Sequence, residues 1–385
     1  VKGISKYCNS KVLVLASVNK EISMVLAPQQ EQTIAPGTKT KVFSLRQSSE
    51  NPNRSGWPKD PYKYYIVWKK GEQEYPVLAK EILFDSFAGS SFNVADHLCS
   101  LGMKNLSLAA FVDDGPLTKE LSTYCQNKKI EFIPLWASNT GITFVMETED
   151  NPDAALCMEK PAAIDTSINR DLVLSQDWDM IITTSIFDDQ EFLDLILELF
   201  LKNPKAIKAM IPSLRLIMNS DPQIQRLFRE ILKWTTIFQV NHREAKEFVN
   251  SELSFGLFKE FDVVEELVNL VTNPVTIVTN GKYGSAMIVE KDGGTDIVNQ
   301  SSLIPIYGVR GTVGAGDAFL TGFSRIYCQA KQRLDNETLR LAGRIGSEVA
   351  MRNLASYGGN LSLDPEKKLS PSQLMEIIQT FKGQN

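Results

Sequence analysis

The stretch Gly308–Phe323, GVRGTVGAGDAFLTGF, decides how the rest of the chain is read. Gly314, Ala315 and Gly316 stand directly before an apolar run with helical spacing. A helix that begins on such small residues lets a ligand approach its backbone closely. Its first N–H groups have no partner inside the helix, and the aligned peptide dipoles make that end positive. The two effects together make an anion site. Asp317 follows in the first turn. An acid there is commonly only a cap. Two glycines ahead of it favour a different reading, in which chemistry is done on a phosphate. Phosphoryl transfer asks the protein for positioned donors where charge builds up and for a base that takes the proton of the attacking hydroxyl. Asp317 is the candidate base, and the amides of Gly314, Ala315 and Gly316 are the candidate anion hole.

Working upstream, short apolar runs alternate with amphipathic segments. Lys11–Val18, Ser107–Val112, Ile142–Glu147, Met180–Phe187, Ala206–Ile211, Thr235–Val240, Val275–Thr279 and Ser285–Glu290 read as strands. Ser91–Leu101, Gln190–Leu201, Gln223–Trp234, His242–Val249 and Glu260–Val271 read as helices, with Gly102 a C-terminal cap for the first. Gly314–Ala330, Glu337–Ala355 and Ser370–Lys382 close the chain as three more. The alternation predicts an α/β fold with a mostly parallel central sheet flanked by helices. Ligands bind such sheets at the carboxyl ends of the strands. Residues 21–87 break the pattern. Thr38–Leu45 and Tyr62–Lys70 look like strands around the Pro/Asn/Ser-rich loop Gln47–Pro61. This region is expected to be a small β-rich lid, with 1–20 and 88–385 forming the α/β domain.

Composition narrows the classes. The 385 residues carry 41 Lys+Arg against 46 Asp+Glu, a net charge of −5, which argues against a nucleic-acid partner. Apolar residues make up 43% and charged residues 23%, the usual globular mix. No apolar run approaches the ~20 residues that span a bilayer, so no membrane partner is expected. Five scattered cysteines without a C-x-x-C pair read as reduced thiols, and no secretory signal is visible at Val1, so a cytoplasmic location is expected. The two histidines, His97 and His242, read as packing or surface residues. Asp113-Asp114-Gly115 reads as a turn, Lys69-Lys70 as a solvated edge, Arg310 as a surface residue. No G-x-x-x-x-G-K-[ST] loop occurs, and the His242-Arg243-Glu244 triplet lacks the Asp and the companion motifs of a protein kinase.

Several segments resemble one family. Gly311–Phe319 resembles the second signature of the ribokinase-like (PfkB) carbohydrate kinases, D-T-x-G-A-G-D-x-F. Ala88-Gly89-Ser90-Ser91-Phe92-Asn93-Val94-Ala95 resembles the first, G-G-x-x-x-N-x-A. Ser17–Glu21 resembles the strand end whose acid binds a substrate hydroxyl. Asn241–Glu244 resembles the N-x-x-E segment that organises magnesium and phosphate through water, and Val278–Gly284 the strand–turn beside the nucleotide. The resemblance covers about residues 11–359. It implies an ATP- and Mg2+-dependent sugar kinase with a lid that closes over a small-molecule acceptor. Glu21, Gly89 and Asn93 would shape the acceptor pocket. Thr279, Gly281 and Gly284 would lie along the nucleotide, and Asn241 and Glu244 would hold metal-bound water. It also implies a homodimer formed through the lid, for which Trp57, Trp68 and Tyr62–Tyr65 offer aromatics; packing of these rings on their own sheet is the alternative. A nucleoside acceptor and a weak or inactive scaffold built on the same fold are the competing readings. Three departures motivate the latter. Gly311 replaces the Asp of D-T-x-G-A-G-D, which calls the monovalent-cation site into question. Glu21 stands for the usual Asp, one methylene shorter, and Ala88 for a glycine.

Overall fold

The computed structural model describes residues 4–6, 8–26, 42–47, 64–70, 73–147, 155–159, 164–253, 263–291, 294–303, 308–330, 332, 334–355 and 369–384. Within strand β1 (Cys8–Ser17) successive side chains alternate between two dry environments. Val12 and Val14 belong to one apolar cluster, Leu13 and Leu15 to another. A strand buried on both faces lies inside a sheet covered by helices on each side, the arrangement its unbroken apolar run predicts.

That sheet has ten strands. Their order is β10 (Ile164–Asp165), β7 (Glu131–Ala137), β6 (Met103–Val112), β1, β11 (Met180–Ile186), β12 (Ile207–Pro212), β13 (Ile237–Asn241), β14 (Val275–Thr279), β15 (Ser285–Lys291) and β16 (Gly294–Gln300). From β7 to β14 neighbours run parallel; β10, β15 and β16 are antiparallel. The chain steps from β1 one way to β6 and β7, then returns to the other side of β1 at β11. The crevice between β1 and β11 is therefore the topological switch point, where sheets of this kind bind ligands beyond the carboxyl ends.

One apolar cluster joins this sheet to α1 (Ser90–Ser100), α2 (Pro116–Lys128), α9 (Ala315–Gln329), α10 (Asn336–Asn353) and α11 (Pro371–Gln384). The other joins its opposite face to α3 (Arg170–Leu174), α4 (Gln190–Lys202), α5 (Leu214–Ile217), α6 (Pro222–Trp234), α7 (His242–Leu253) and α8 (Val263–Leu270). Asp189, Asp221 and Asp335 cap α4, α6 and α10 by accepting from first-turn amides. Arg325 near the end of α9 is fully buried. It donates to the carbonyls of Leu101, Ser5 and Lys6 and so fixes α9 to the N-terminal segment and to the end of α1. No helix among the described residues is long and apolar enough to cross a membrane.

A second sheet runs β3 (Val42–Gln47), β4 (Tyr64–Lys70), β5 (Gln73–Ala88), β2 (Asn19–Leu26), β8 (Gly141–Glu147), β9 (Ala155–Glu159). It differs from the region anticipated at 21–87. The strand read at Ile142–Glu147 pairs here, parallel to β2, rather than in the central sheet. The pattern of a strand does not say which edge it joins, and this one is reached by a chain returning from β7. Residues 48–63, with Trp57, Tyr62 and most of the Gln47–Pro61 loop, lie outside the described residues. Helix α2 and strand β7 also escape the sequence reading. Only Leu121 and Cys125 of α2 are buried, too few to print a helical period.

Candidate active site

The site is built from the carboxyl ends of central strands and the helix starts that face them. Helix α9 begins on Gly314, whose φ of 75° is a left-handed conformation that costs glycine little. Gly314 offers no side-chain cap; the Ala315 N–H donates to the Thr312 carbonyl at 3.4 Å, a long bond, and the next amide of α9, at Gly316, retains its donor capacity. Gln239 of β13 donates through Nε2 to the carbonyl of Gly316 at 2.8 Å and pins this turn to the sheet.

Asp317 lies one residue further on and is 8% exposed. Burial pushes its carboxyl up to about 7, and a hydrogen bond with Ser90 pulls the other way. Ser90 is the first residue of α1, just after Gly89, which caps that helix at φ 105°. The Ser90 and Ser185 hydroxyl oxygens lie 2.6 Å apart. Asn93, one turn into α1, is buried, and its Oδ1 has no hydrogen-bond partner among the described residues. An unpartnered buried acceptor beside such a site is ready for a ligand donor. The starts of α9 and α1 therefore bring Asp317, Gly314–Gly316, Gly89 and Ser90 together, with Asn93 a turn behind.

Asn241 and Glu244 close the start of α7 on themselves. The Asn241 N–H donates to Glu244 Oε2 at 2.9 Å, and the Glu244 N–H donates to Asn241 Oδ1 at 2.9 Å. This is a reciprocal cap. Glu244 is half-buried, and burial pushes its carboxyl to about 7. The bond from the Asn241 amide opposes that rise, and the charge of Asp317 adds to it. The two carboxyls therefore feel each other. No cluster of three or more acidic, histidine or cysteine side chains that could hold a metal ion occurs among the described residues. That donor set does not form a protein cage for a metal; it fits Mg2+ carried on nucleotide phosphates and met through water.

Register sets Asn241 beside Thr279 of β14, and Thr279 opposite Ser285. The turn after β14 closes with the Asn280 N–H on the Gly284 carbonyl at 2.8 Å, using Gly281 at φ 50° and Gly284 at φ 98°. A side chain at Gly284 would strike the Gln300 carbonyl, because a Cβ there would lie 2.2 Å from it. This turn walls a cavity of about 240 Å3, with His242, Tyr283, Gly284, Asn299 and Gln300 among its lining residues. His242 opens α7 directly after β13, the first-turn place the sequence suggested, and lines this cavity. His97 is buried in α1, as a packing residue. Asp113 makes the expected turn: it accepts from the amides of Gly115 at 2.8 Å and Thr140 at 3.0 Å. Arg310 is exposed, with its N–H donating to the Leu354 carbonyl at 2.7 Å.

Glu21 sits in β2 opposite Ser86 of β5 and Thr143 of β8, and Asn19 pairs with Ala88, immediately before Gly89. The second sheet therefore feeds directly into the start of α1. The side chains of Glu21 and Ala88, and those of Lys69, Lys70 and Trp68 on β4, lie outside the described residues. Three contributors were not singled out from the sequence. Gln239 carried one signal, a polar residue inside an apolar strand. Ser90 and Ser185 carried none beyond their nearness to glycine and to a strand end.

The model of the pfkB family carbohydrate kinases matches residues 74–366. The chain belongs to that family. The pfkB-family fold is repeated in solved structures that share little sequence with this chain. A ribokinase from Giardia lamblia superposes with a TM-score of 0.63 at 16% identity, covering 97% of this chain and 100% of that one. An adenosine kinase from Sinorhizobium meliloti gives 0.65 at 16%, over 97% and 100%. A nucleoside kinase from Burkholderia thailandensis, solved with inosine, gives 0.63 at 14%, over 97% of both chains. No curated protein matches this pfkB-family sequence.

Proposed function

We propose that this protein transfers the γ-phosphoryl group of ATP to a hydroxyl of a small sugar-like alcohol, with Asp317 as general base. The observation that carries the reading is the placement of Asp317. It is a buried carboxyl in the first turn of a helix whose N-terminus has no side-chain cap, facing the start of α1 at the carboxyl side of the sheet. The Asp317 carboxylate takes the proton as the hydroxyl attacks. The amide of Gly316, and that of Ala315 in exchange for its long bond to the Thr312 carbonyl, hold the oxygens of the moving group, where negative charge grows; Gly314 and Gln239 keep them in place. The turn Thr279–Gly284 and its cavity receive the nucleotide. Glu244 and Asn241 would hold, through water, the Mg2+ that comes with the nucleotide; bound there, the ion would supply charge neutralisation of the phosphates. Gly89 and Asn93 line the acceptor side, with Glu21 supplied by the second sheet, which acts as the lid. Gly311 offers no carboxylate for a monovalent cation.

The acceptor is a sugar or the ribose of a nucleoside, since the structural neighbours include kinases of both kinds. The free cysteines Cys8, Cys99, Cys125 and Cys328 fit a reducing, cytoplasmic setting. ADP release on a panel of sugars and nucleosides, with and without Mg2+, tests the reading. Asp317→Asn should bind ATP as before and lose a factor on the order of 10² or more in kcat. Turnover within a few-fold of the parent removes Asp317 from the role. Silence across the panel together with no thermal shift from ATP supports a scaffold instead.

A further inference from the structure

Ser185 combines two irregularities. It is a non-glycine residue at φ 47°, a backbone conformation that side chains rarely adopt. It also sits where the pairing of β11 with β12 slips: Thr184 faces Ile211 and Ile186 faces Pro212, leaving Ser185 between them. This is a bulge in a parallel pair, an uncommon place for one. Bulges near functional sites re-aim side chains. Strain that is held at such a place is a reason to look for a role. Ser213 secures the far side of the slip, its hydroxyl donating to the Ile186 carbonyl at 2.6 Å. The residue that the bulge re-aims meets Ser90, 2.6 Å away, and Ser90 in turn bonds Asp317.

We infer that Ser185 and Ser90 form a hydroxyl relay that positions the Asp317 carboxylate for proton transfer. The direction of the relay follows from proton counting. An ionised carboxylate only accepts, and each serine hydroxyl has one proton to give. Ser90 therefore donates to Asp317, and Ser185 donates to Ser90. Once its proton is committed, Ser90 depends on Ser185 for the bond that fixes its rotamer. Hydrogen bonds in such a chain polarise one another, and the final bond, to a charged acceptor, is the strong one. Ser90 is fixed from a second direction by Gly89 and the start of α1, and Ser185 by the switch-point strand β11. The base thus rests on two elements besides its own helix. The inference rests on the reading of Asp317 as the base, and its test separates the two.

The test is a set of variants read in two ways. Steady-state kinetics use ATP with whichever of the panel sugars and nucleosides is phosphorylated. Ser90→Ala should lower kcat about tenfold or more with KM for ATP within twofold. Ser185→Ala should lower kcat less, in the same direction, and Ser90→Thr, which keeps the hydroxyl, should recover most of the loss. Ser185→Gly separates strain from chemistry: the chain should melt no lower than the parent, yet kcat should fall as in Ser185→Ala. The second readout needs no turnover. Melting temperatures at pH 8 are compared for the parent, Ser90→Ala, Asp317→Ala and the double variant. Ser90→Ala should cost about 2 °C or more when Asp317 is present and close to nothing when Ala replaces it. Equal losses in both backgrounds, or a loss carried by KM for ATP at unchanged kcat, overturn the relay. If Asp317→Ala keeps its turnover the base reading fails, and the melting cycle still reports whether the hydroxyls hold that carboxyl.

Discussion

Asp317 carries a conflict between stability and chemistry. Burial raises its carboxyl to about 7, against an ordinary value of 3.8. Below pH 3.8 both the folded and the unfolded chain hold the proton. Between 3.8 and about 7 the folded chain holds it and the unfolded chain has lost it. Stability therefore falls as pH rises through that window and stays at its floor above it. A shift of that size corresponds to about 4 kcal/mol at pH 8. Asp317→Asn is neutral throughout. Its melting temperature should exceed the parent's at pH 8 and converge on it as pH falls towards 4, in thermal scans across that range. A constant offset would mean that the charge is not a burden. Under the proposed role of Asp317 activity follows the opposite sense, because a general base must be ionised. kcat/KM should climb from pH 6 to pH 8, and since Glu244 is also raised to about 7 beside it, the limb belongs to the pair.

At the scale of elements, what positions that acid is the packing of α9 on α10. The two helices touch through glycines. A Cβ on Gly322 would lie 2.7 Å from the Ile345 carbonyl, and one on Gly346 2.9 Å from the Phe319 carbonyl. Backbone is in the way at both places, and it cannot turn aside. Gly343 differs, because the atom that its Cβ would meet at 2.9 Å is the mobile Cε of Met287. Gly322→Ala should therefore cost about 1–3 kcal/mol and depress kcat by displacing the helix that bears Asp317. Gly343→Ala should cost clearly less. Calorimetric melting of the two variants checks the order, and equal losses would refute the close-approach argument. The start of α9 was legible in the sequence because Gly314, Gly316 and Asp317 answer to one local rule, the chemistry of a helix N-terminus. Most strands of the central sheet were legible because both their faces are buried. The bulge at Ser185 was not, since it arises from a slip between β11 and β12 that neither strand encodes alone. The reciprocal cap of Asn241 and Glu244 was visible as N-x-x-E, but as a metal motif; the structure shows that the same spacing also starts a helix.

At the scale of the molecule, one long strand of the second sheet leads straight into the helix that meets Asp317. β5 runs from Gln73 in the second sheet to Ala88, and the next residue caps α1 beside Asp317. A change in the second sheet thus reaches the start of α1, the proposed acceptor side, along covalent backbone. The turn Asn280–Gly284, proposed to receive the nucleotide, follows β14, three strands beyond β11 in the sheet order. The two ligands should therefore have different effects on exchange. Closing the second sheet over an acceptor would exclude water from the transferring group and suppress hydrolysis. Amide hydrogen exchange reads this directly. ADP alone should slow exchange around the turn after β14 and leave β4 and β5 unchanged. Adding the alcohol that the activity panel identifies should then slow exchange in β4 and β5. Protection of β5 by ADP alone would place the nucleotide, not the acceptor, beneath the second sheet. Exchange in β4 and β5 that neither ligand alters would make that sheet a fixed platform and remove its role as a lid.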